Sequence, residues 1–277
     1  MNGDFMTREV GREYSDPPGA EPRIEVRPLP PFRWTPCAVE FAISRGGKTY
    51  RRPLWYAHLA MLKLIKHYDF RTVLDLGTND GMASYIFDAL GKDVAALEPA
   101  KPWQNHPDFP CREVDIEVDF LDVRFIRKFD AIWCSHVLEH IRNPGAFLDK
   151  VYDDLREGGV LALTVPFMNS ALSLHSFVSG HHNLYNQWTL LNQLVCAGFD
   201  CRNASIATYN GQLSVVVKKV PNNITRSTCA VGYFPEELAK NGYDPKIHEP
   251  RLLQFFPIQK GEQHNDETTW INWGNPI

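Results

Sequence analysis

The sequence predicts a doubly wound α/β fold whose mostly parallel sheet finishes in an antiparallel hairpin. Three observations carry this. Short apolar runs alternate with amphipathic stretches of helix length from residue 55 onward, and glycine or proline punctuates their ends. Asn210-Gly211 joins the last two strand-like runs, and Asn-Gly is the strongest short hairpin signal.

The elements follow in order. "WYAHLAMLKLIKHYD" (55–69) spaces Leu59, Leu62 and Ile65 along one helical face, with Lys63 and Lys66 elsewhere. "TVLDL" (72–76) reads as a buried strand, "MASYIFDALG" (82–91) as a helix ending at Gly91, and "DVAALEP" (93–99) as a strand stopped by Pro99. "REVDIEV" (112–118), "FDAIWCS" (129–135) and "VLALTVP" (160–166) supply three more strands. Between the last two, Asn143 reads as the N-cap and Pro144 as the first turn of a helix that closes at Gly158. A helix capped by Asn186 ends at Gly198, and "FDCRNASIATY" and "QLSVVVKKV" form the final hairpin.

These elements divide the chain into three. Residues 1–54 form an N-terminal arm, loosely ordered to about residue 35 because proline and charge dominate it. Residues 55–220 form the α/β domain. Residues 221–277 form a C-terminal extension that lacks strong periodicity apart from a helical stretch around "PEELAKNG".

Composition narrows the partners. With 29 basic against 33 acidic residues and a net charge of −4, the chain carries no broad positive field, so nucleic acid is not expected as a main partner. No apolar run approaches the span of a bilayer, and the N-terminus lacks signal- or transit-peptide character. The six cysteines never form a CxxC pair, so they signal neither a zinc site nor a disulfide framework. A cytoplasmic protein with reduced thiols is the reading, and self-association is compatible with it.

Chemistry concentrates at "VLDLGTNDG" (73–81). A glycine-containing turn from a strand into a helix lets a ligand approach the backbone, and the helix N-terminus favours its polar or anionic groups. Glu98 ends the next strand, 21 residues after Gly77, where a carboxylate can accept from ribose hydroxyls. Together they point to an adenosine-containing ligand. The G-x-x-x-G spacing disfavours a dinucleotide.

Taken in register, "VLDLGTNDG", "VAALEP", "FDAIWCSHVLEHIRNPGAFLDKVYDDLREGGVLALTVP" and the hairpin resemble the class I S-adenosylmethionine-dependent methyltransferases, over roughly residues 55–220. The resemblance implies a Rossmann-like, seven-stranded sheet and S-adenosyl-L-methionine as cofactor. It implies that Asp75, Gly77, Thr78, Asn79 and Gly81 surround the methionine and ribose parts, and that Glu98 takes the ribose hydroxyls. Asp119, 11 residues before Asp130, falls where the family reads the adenine amino group, with Phe120 beside it and Asp122 as a competitor. Ser135 and His136 fall beneath the methionine moiety, facing the transferred methyl. Asn79 stands where the family often has a third glycine, which alters the expected loop shape.

Methyl transfer asks the protein to align an acceptor and exclude water, and a hydroxyl acceptor also needs a base. The segment "FMNSALSLHSFVSGHHNLYNQW" (167–188), where the fold carries an acceptor cover, holds His175, His181 and His182 among aromatics. In the family a Gly-His followed by an aromatic and a helix cap recurs here, which favours His181 as base or acceptor-positioning residue. His136 and His182 are further catalytic candidates, and His140 reads as structural. No carboxylate–histidine pair at ligand spacing argues for a metal, so none is expected.

Trp55, Tyr56 and Trp103 would suit a sugar ring or a planar acceptor, and Arg51 and Arg52 an anionic group. "SGHHNLYNQWTLLNQLVCAGFDC" is also loosely similar to methyltransferases of bacterial capsule and O-antigen pathways. This leads to O-methylation of a saccharide or sugar-linked group, a glycan or small-molecule acceptor, in polysaccharide biosynthesis. Three readings stay open beside it: a small-molecule methyltransferase of secondary metabolism, a non-catalytic adenosylmethionine-binding protein, and an NAD-linked oxidoreductase, the last disfavoured by the glycine spacing.

Overall fold

The computed structural model describes residues 7–8, 22–30, 38–98, 114–116, 119–167, 180–222, 270–271 and 273. The expected readings of His175, Trp103 and "PEELAKNG" lie outside these residues.

The described chain begins with strands where an arm was expected. β1 (Arg23–Pro28), β2 (Val39–Arg45) and β3 (Lys48–Leu54) form an antiparallel three-stranded sheet, with Gly46-Gly47 turning β2 into β3 at positive φ. Val39, Phe41 and Ile43 alternate inward along β2 and join the core beneath α1 and α2. The flanking prolines and charges of β1 hid its weak alternation of Ile24 and Val26, so residues 23–28 are paired strand rather than loose arm.

α1 (His58–His67) presents a different face from the expected one. Ala60, Met61 and Leu64 are buried, together with Lys63, while Leu59, Leu62 and Ile65 are only partly buried. The helix is apolar around most of its circumference, so periodicity alone does not choose a side.

β4 (Thr72–Leu76), α2 (Met82–Ala89), β5 (Asp93–Glu98), β6 (Val114–Ile116), β7 (Phe129–Ser135), α3 (Pro144–Asp154), β8 (Leu155–Pro166), α4 (Gln187–Cys196), β9 (Ser205–Tyr209), β10 (Gln212–Lys218) and β11 (Trp270–Ile271) follow. The main sheet has the order β11-β9-β10-β8-β7-β4-β5-β6. β6, β5, β4, β7 and β8 are parallel, whereas β10, β9 and β11 pair antiparallel. This is the expected mostly parallel, Rossmann-like fold with a terminal hairpin. An eighth short strand comes from the extension.

Local chemistry explains several boundaries. Asn143 Oδ1 accepts from the Ala146 N–H and Pro144 opens α3. α3 ends at Asp154 rather than at Gly158, because Leu155 already pairs with Phe129. Gly158, at φ 78°, lies in the irregularity that shifts register between Leu155 and Val160. Asn186 and Thr189 close a capping box on α4. Asn210 and Gly211 both have positive φ, as a tight two-residue hairpin requires.

Alternation along the sheet separates two cores. Leu74, Leu76, Ile132 and Leu163 pack against α3 and α4, while Val73, Ala131 and Trp133 meet α1, α2 and the small sheet. Among the described residues, no helix is long and apolar enough to cross a membrane.

Candidate functional site

The site gathers where β4, β5, β7 and β8 reach their carboxyl ends. There β4 is followed by a connection to β5 on one side, while its other neighbour, β7, arrives later in the chain, so the loops diverge and leave a crevice.

The glycine turn is built from both flanks. The N–H groups of Gly77 and Thr78 donate to the Leu97 carbonyl at 2.9 and 3.3 Å, tying the end of β4 to β5. Gly77 has φ 71°, and a Cβ there would collide with Cγ2 of Val137, so only glycine fits. Asn79 (φ 45°) and Gly81 (φ 77°) continue the tight path into α2. The Asn79 N–H donates to Glu98 Oε2 at 2.7 Å. The carboxylate expected at the ribose is thereby coupled to the turn expected at the methionine.

Asp75 lies behind the turn, 1% exposed. Its Oδ2 accepts from Ser84 Oγ at 2.6 Å, and Ser84 Oγ is 3.2 Å from Thr78 Oγ1. Burial pushes its carboxyl up to about 6, against the opposing Ser84 and Thr78 hydrogen bonds. Its chemistry is bracing from within the fold rather than direct presentation at the surface. Arg51 pairs with Glu40 at 2.7 Å, and Arg52 stacks over the Tyr85 ring of α2 at 4.8 Å.

The segment expected on the adenine side forms a short turn at Phe120–Asp122. Asp119 is exposed and its Oδ1 caps the Phe120–Asp122 turn by accepting from the Leu121 N–H at 3.0 Å. The Phe120 ring turns into the core, edge-on to Phe147 with centroids 5.1 Å apart and Lys150 Nζ 4.5 Å from its centroid. Leu121, 40% exposed, is the open apolar side chain at this point. Asp122 is exposed beside it.

The histidines come together beyond β7. Ser135 Oγ is 3.0 Å from His136 Nδ1, and the ring of His136 meets the exposed Tyr56 ring with centroids 4.8 Å apart. His136 has φ 57° and donates its N–H to the Thr164 carbonyl at 2.8 Å. Burial, then the neighbouring His181 and His140, depress its imidazole to about 4, so it is neutral at neutral pH. The chain from Gly180 is clamped onto the turn after β7. The N–H groups of His182 and Asn183 donate to the Glu139 carbonyl at 2.7 and 3.0 Å, and Asn183 Nδ2 donates to the Ile141 carbonyl at 2.6 Å. This clamp sets the His140 and His181 rings edge to face, centroids 4.8 Å apart, and leaves His182 exposed.

Glu139 was not singled out from the sequence. It is 1% exposed, and neither carboxylate oxygen makes a hydrogen bond of good geometry among the described residues. Burial raises its carboxyl to about 8, opposed by its own backbone N–H. Glu139, His140 and His181 each offer a ligand atom, all within 4.8 Å of one another. The expectation of no metal rested on sequence spacing, whereas the fold draws its third donor from 41 residues after His140.

Comparison with known proteins assigns the class. A family model described as a methyltransferase domain matches residues 50–204, more than half of the chain. The chain belongs to this family, and it is a class I S-adenosylmethionine-dependent methyltransferase in fold and cofactor.

Individual relatives are more distant. The chain is 30% identical over 106 residues to a ubiquinone biosynthesis O-methyltransferase of Glaesserella parasuis, covering 34% of this chain and 44% of the relative. It is 25% identical over 221 residues to a tRNA U34 carboxymethyltransferase of Desulfotalea psychrophila, covering 72% and 66%. Thus it spans only about half to two thirds of the length of these relatives. Among solved structures, the 1,6-didemethyltoxoflavin-N1-methyltransferase of Burkholderia thailandensis shares 17% identity at a TM-score of 0.49, covering 60% of this chain and 78% of that one.

Proposed function

We propose that the protein transfers the methyl group of S-adenosylmethionine to a hydroxyl oxygen of a small ring-bearing acceptor, with a sugar or sugar-linked group as first choice. The observation that carries this reading is the meeting of His136, His140 and His181 beside the exposed Tyr56, at the strand ends where the glycine turn and Glu98 lie. An amine or thiolate acceptor needs little beyond alignment, whereas a hydroxyl must lose a proton. Burial and its neighbouring imidazoles keep His136 neutral but also make it a weak base at about 4, which leaves His181 as the first choice to accept that proton.

In the reaction the acceptor oxygen forms a bond to the methyl carbon as the carbon–sulfur bond breaks. The bonding pair stays on sulfur, giving adenosylhomocysteine, and the hydroxyl proton passes to His181 or His136. Tyr56 offers a face on which the C–H face of a sugar or a planar ring stacks.

The test is a two-stage measurement. Calorimetric titration should show micromolar binding of adenosylmethionine and adenosylhomocysteine and none of NAD. Glu98→Ala should weaken that binding on the order of 10- to 100-fold, as expected for losing hydrogen bonds to a charged group, while His181→Ala spares it. Mass-spectrometric methyl transfer is then screened on monosaccharides, nucleotide sugars, catechols and tRNA. Methylated sugar, lost in His181→Ala, supports the reading. Product on tRNA or catechol alone overturns the acceptor assignment, and equal loss of cofactor binding in both variants removes the role given to His181.

A further inference from the structure

We propose that Glu139, His140 and His181 bind one divalent transition-metal ion of the zinc type beside the acceptor. Three observations carry it. The carboxylate of Glu139 is held almost fully out of water, with neither oxygen partnered among the described residues and Oε1 4.0 Å from His140 Nε2. Folded proteins do not tolerate such a group without a compensating proton, partner or cation.

The second observation is the orientation of His140. Its Nδ1 lies 3.2 Å from the Gly180 carbonyl, which can only accept, so Nδ1 is the donor and Nε2 is the ring atom directed toward Glu139 and available to a metal. A ring N–H donated to a backbone carbonyl is the second interaction that metal-binding histidines characteristically make.

The third is the clamp itself. The Glu139 carbonyl receives the N–H groups of His182 and Asn183, so the same residue that offers the carboxylate also anchors the loop carrying His181. Ligand atoms from all three residues lie within 4.8 Å of one another. Tetrahedral zinc with bonds of about 2.0–2.2 Å needs donors roughly 3.3–3.6 Å apart. The exposed His140 and half-buried His181 need only a small closing motion to reach that spacing.

Two imidazoles and one carboxylate suit zinc rather than magnesium, and three protein ligands leave a position open. A hydroxyl bound there loses its proton far more readily than in water. This deepens the proposed O-methylation and rests on it for the acceptor: His181 then acts as a ligand, and the proton leaves to His136 or solvent.

The experiment uses the full chain, freed of metal by chelation and dialysis. Elemental analysis and calorimetry with zinc chloride should show one equivalent bound at micromolar affinity or tighter, undiminished by excess magnesium. Glu139→Gln and His181→Ala should each weaken uptake at least about 10-fold, while the exposed His67→Ala at the end of α1 does not. Circular dichroism and adenosylmethionine titration confirm that each variant is folded. Cobalt substitution should give the visible bands of a low-coordinate site, lost in Glu139→Gln.

No saturable uptake, or uptake unchanged in both variants, overturns the proposal, as does full methyl transfer in chelator with metal-free protein. That last result leaves the O-methylation reading standing. Metal uptake without adenosylmethionine binding or methyl transfer would instead sink the functional reading and leave the metal site.

Discussion

Gly77 shows how one residue ties ligand geometry to stability. Its positive φ and the closeness of Val137 Cγ2 to the place a methyl would occupy leave no room for alanine. Gly77→Ala should cost about 2–5 kcal/mol, combining left-handed strain with overpacking, and a chemical denaturation curve checks it. Adding Val137→Ala should return part of the loss. Asp75 makes a second, opposite prediction. Its folded pKa is raised from 3.8 to about 6, so ionisation is disfavoured in the fold. Below pH 4 the group is protonated in both states and contributes nothing. As pH rises through 4 to 6 it subtracts stability, reaching on the order of 3 kcal/mol. Asp75→Asn, which can still accept from Ser84, should therefore match the parent in acid and exceed it at pH 7 in paired denaturant titrations. A variant less stable at pH 7 than at pH 4, relative to the parent, would refute the assignment.

At the scale of elements, capping chemistry was readable because it is local. Asn143 and Asn186 cap α3 and α4, and Asn210-Gly211 turns β9 into β10, each through contacts within three or four residues. Asn186→Ala should remove about 1 kcal/mol, or roughly 2–4 °C in Tm for a chain of this size, with adenosylmethionine affinity unchanged. What was misread depended on neighbours. The buried face of α1 was set by the sheet beneath it and by the Trp273 carbonyl, to which Lys63 Nζ donates at 2.8 Å. The end of α3 was set by the pairing of Leu155 with Phe129, and the small sheet by cross-strand bonds that outweigh the proline-rich composition around β1.

For the whole molecule, the C-terminal residues close an edge. β11 pairs with β9 through Ile271 and Trp270, and Trp273 is buried in the α1 core. Removing residues 270–277 would expose the backbone edge of β9 and open that core. The shortened chain should melt several degrees lower and self-associate, an edge strand being a template for pairing. Calorimetry and light scattering check this, and an unchanged monomer of parental Tm would show that the edge is protected by other means.

The linear chain by itself determined the strand-helix alternation, the hairpin, the glycine turn and Glu98, because backbone propensity, capping and φ requirements act over a few residues. The family resemblance marked His136, just past a strand, and His181, in a Gly-His before a helix cap, as candidates, with His182 beside it. Only the tertiary structure decided which side chains share a space. It turned Phe120 into the core, left Leu121 open, withdrew Asp75 behind the turn, and set His181 against Glu139 and His140 across the Gly180 clamp. Burial and long-range contact are properties of the packed chain, and no local pattern encodes which carboxylate will be buried beside which imidazoles.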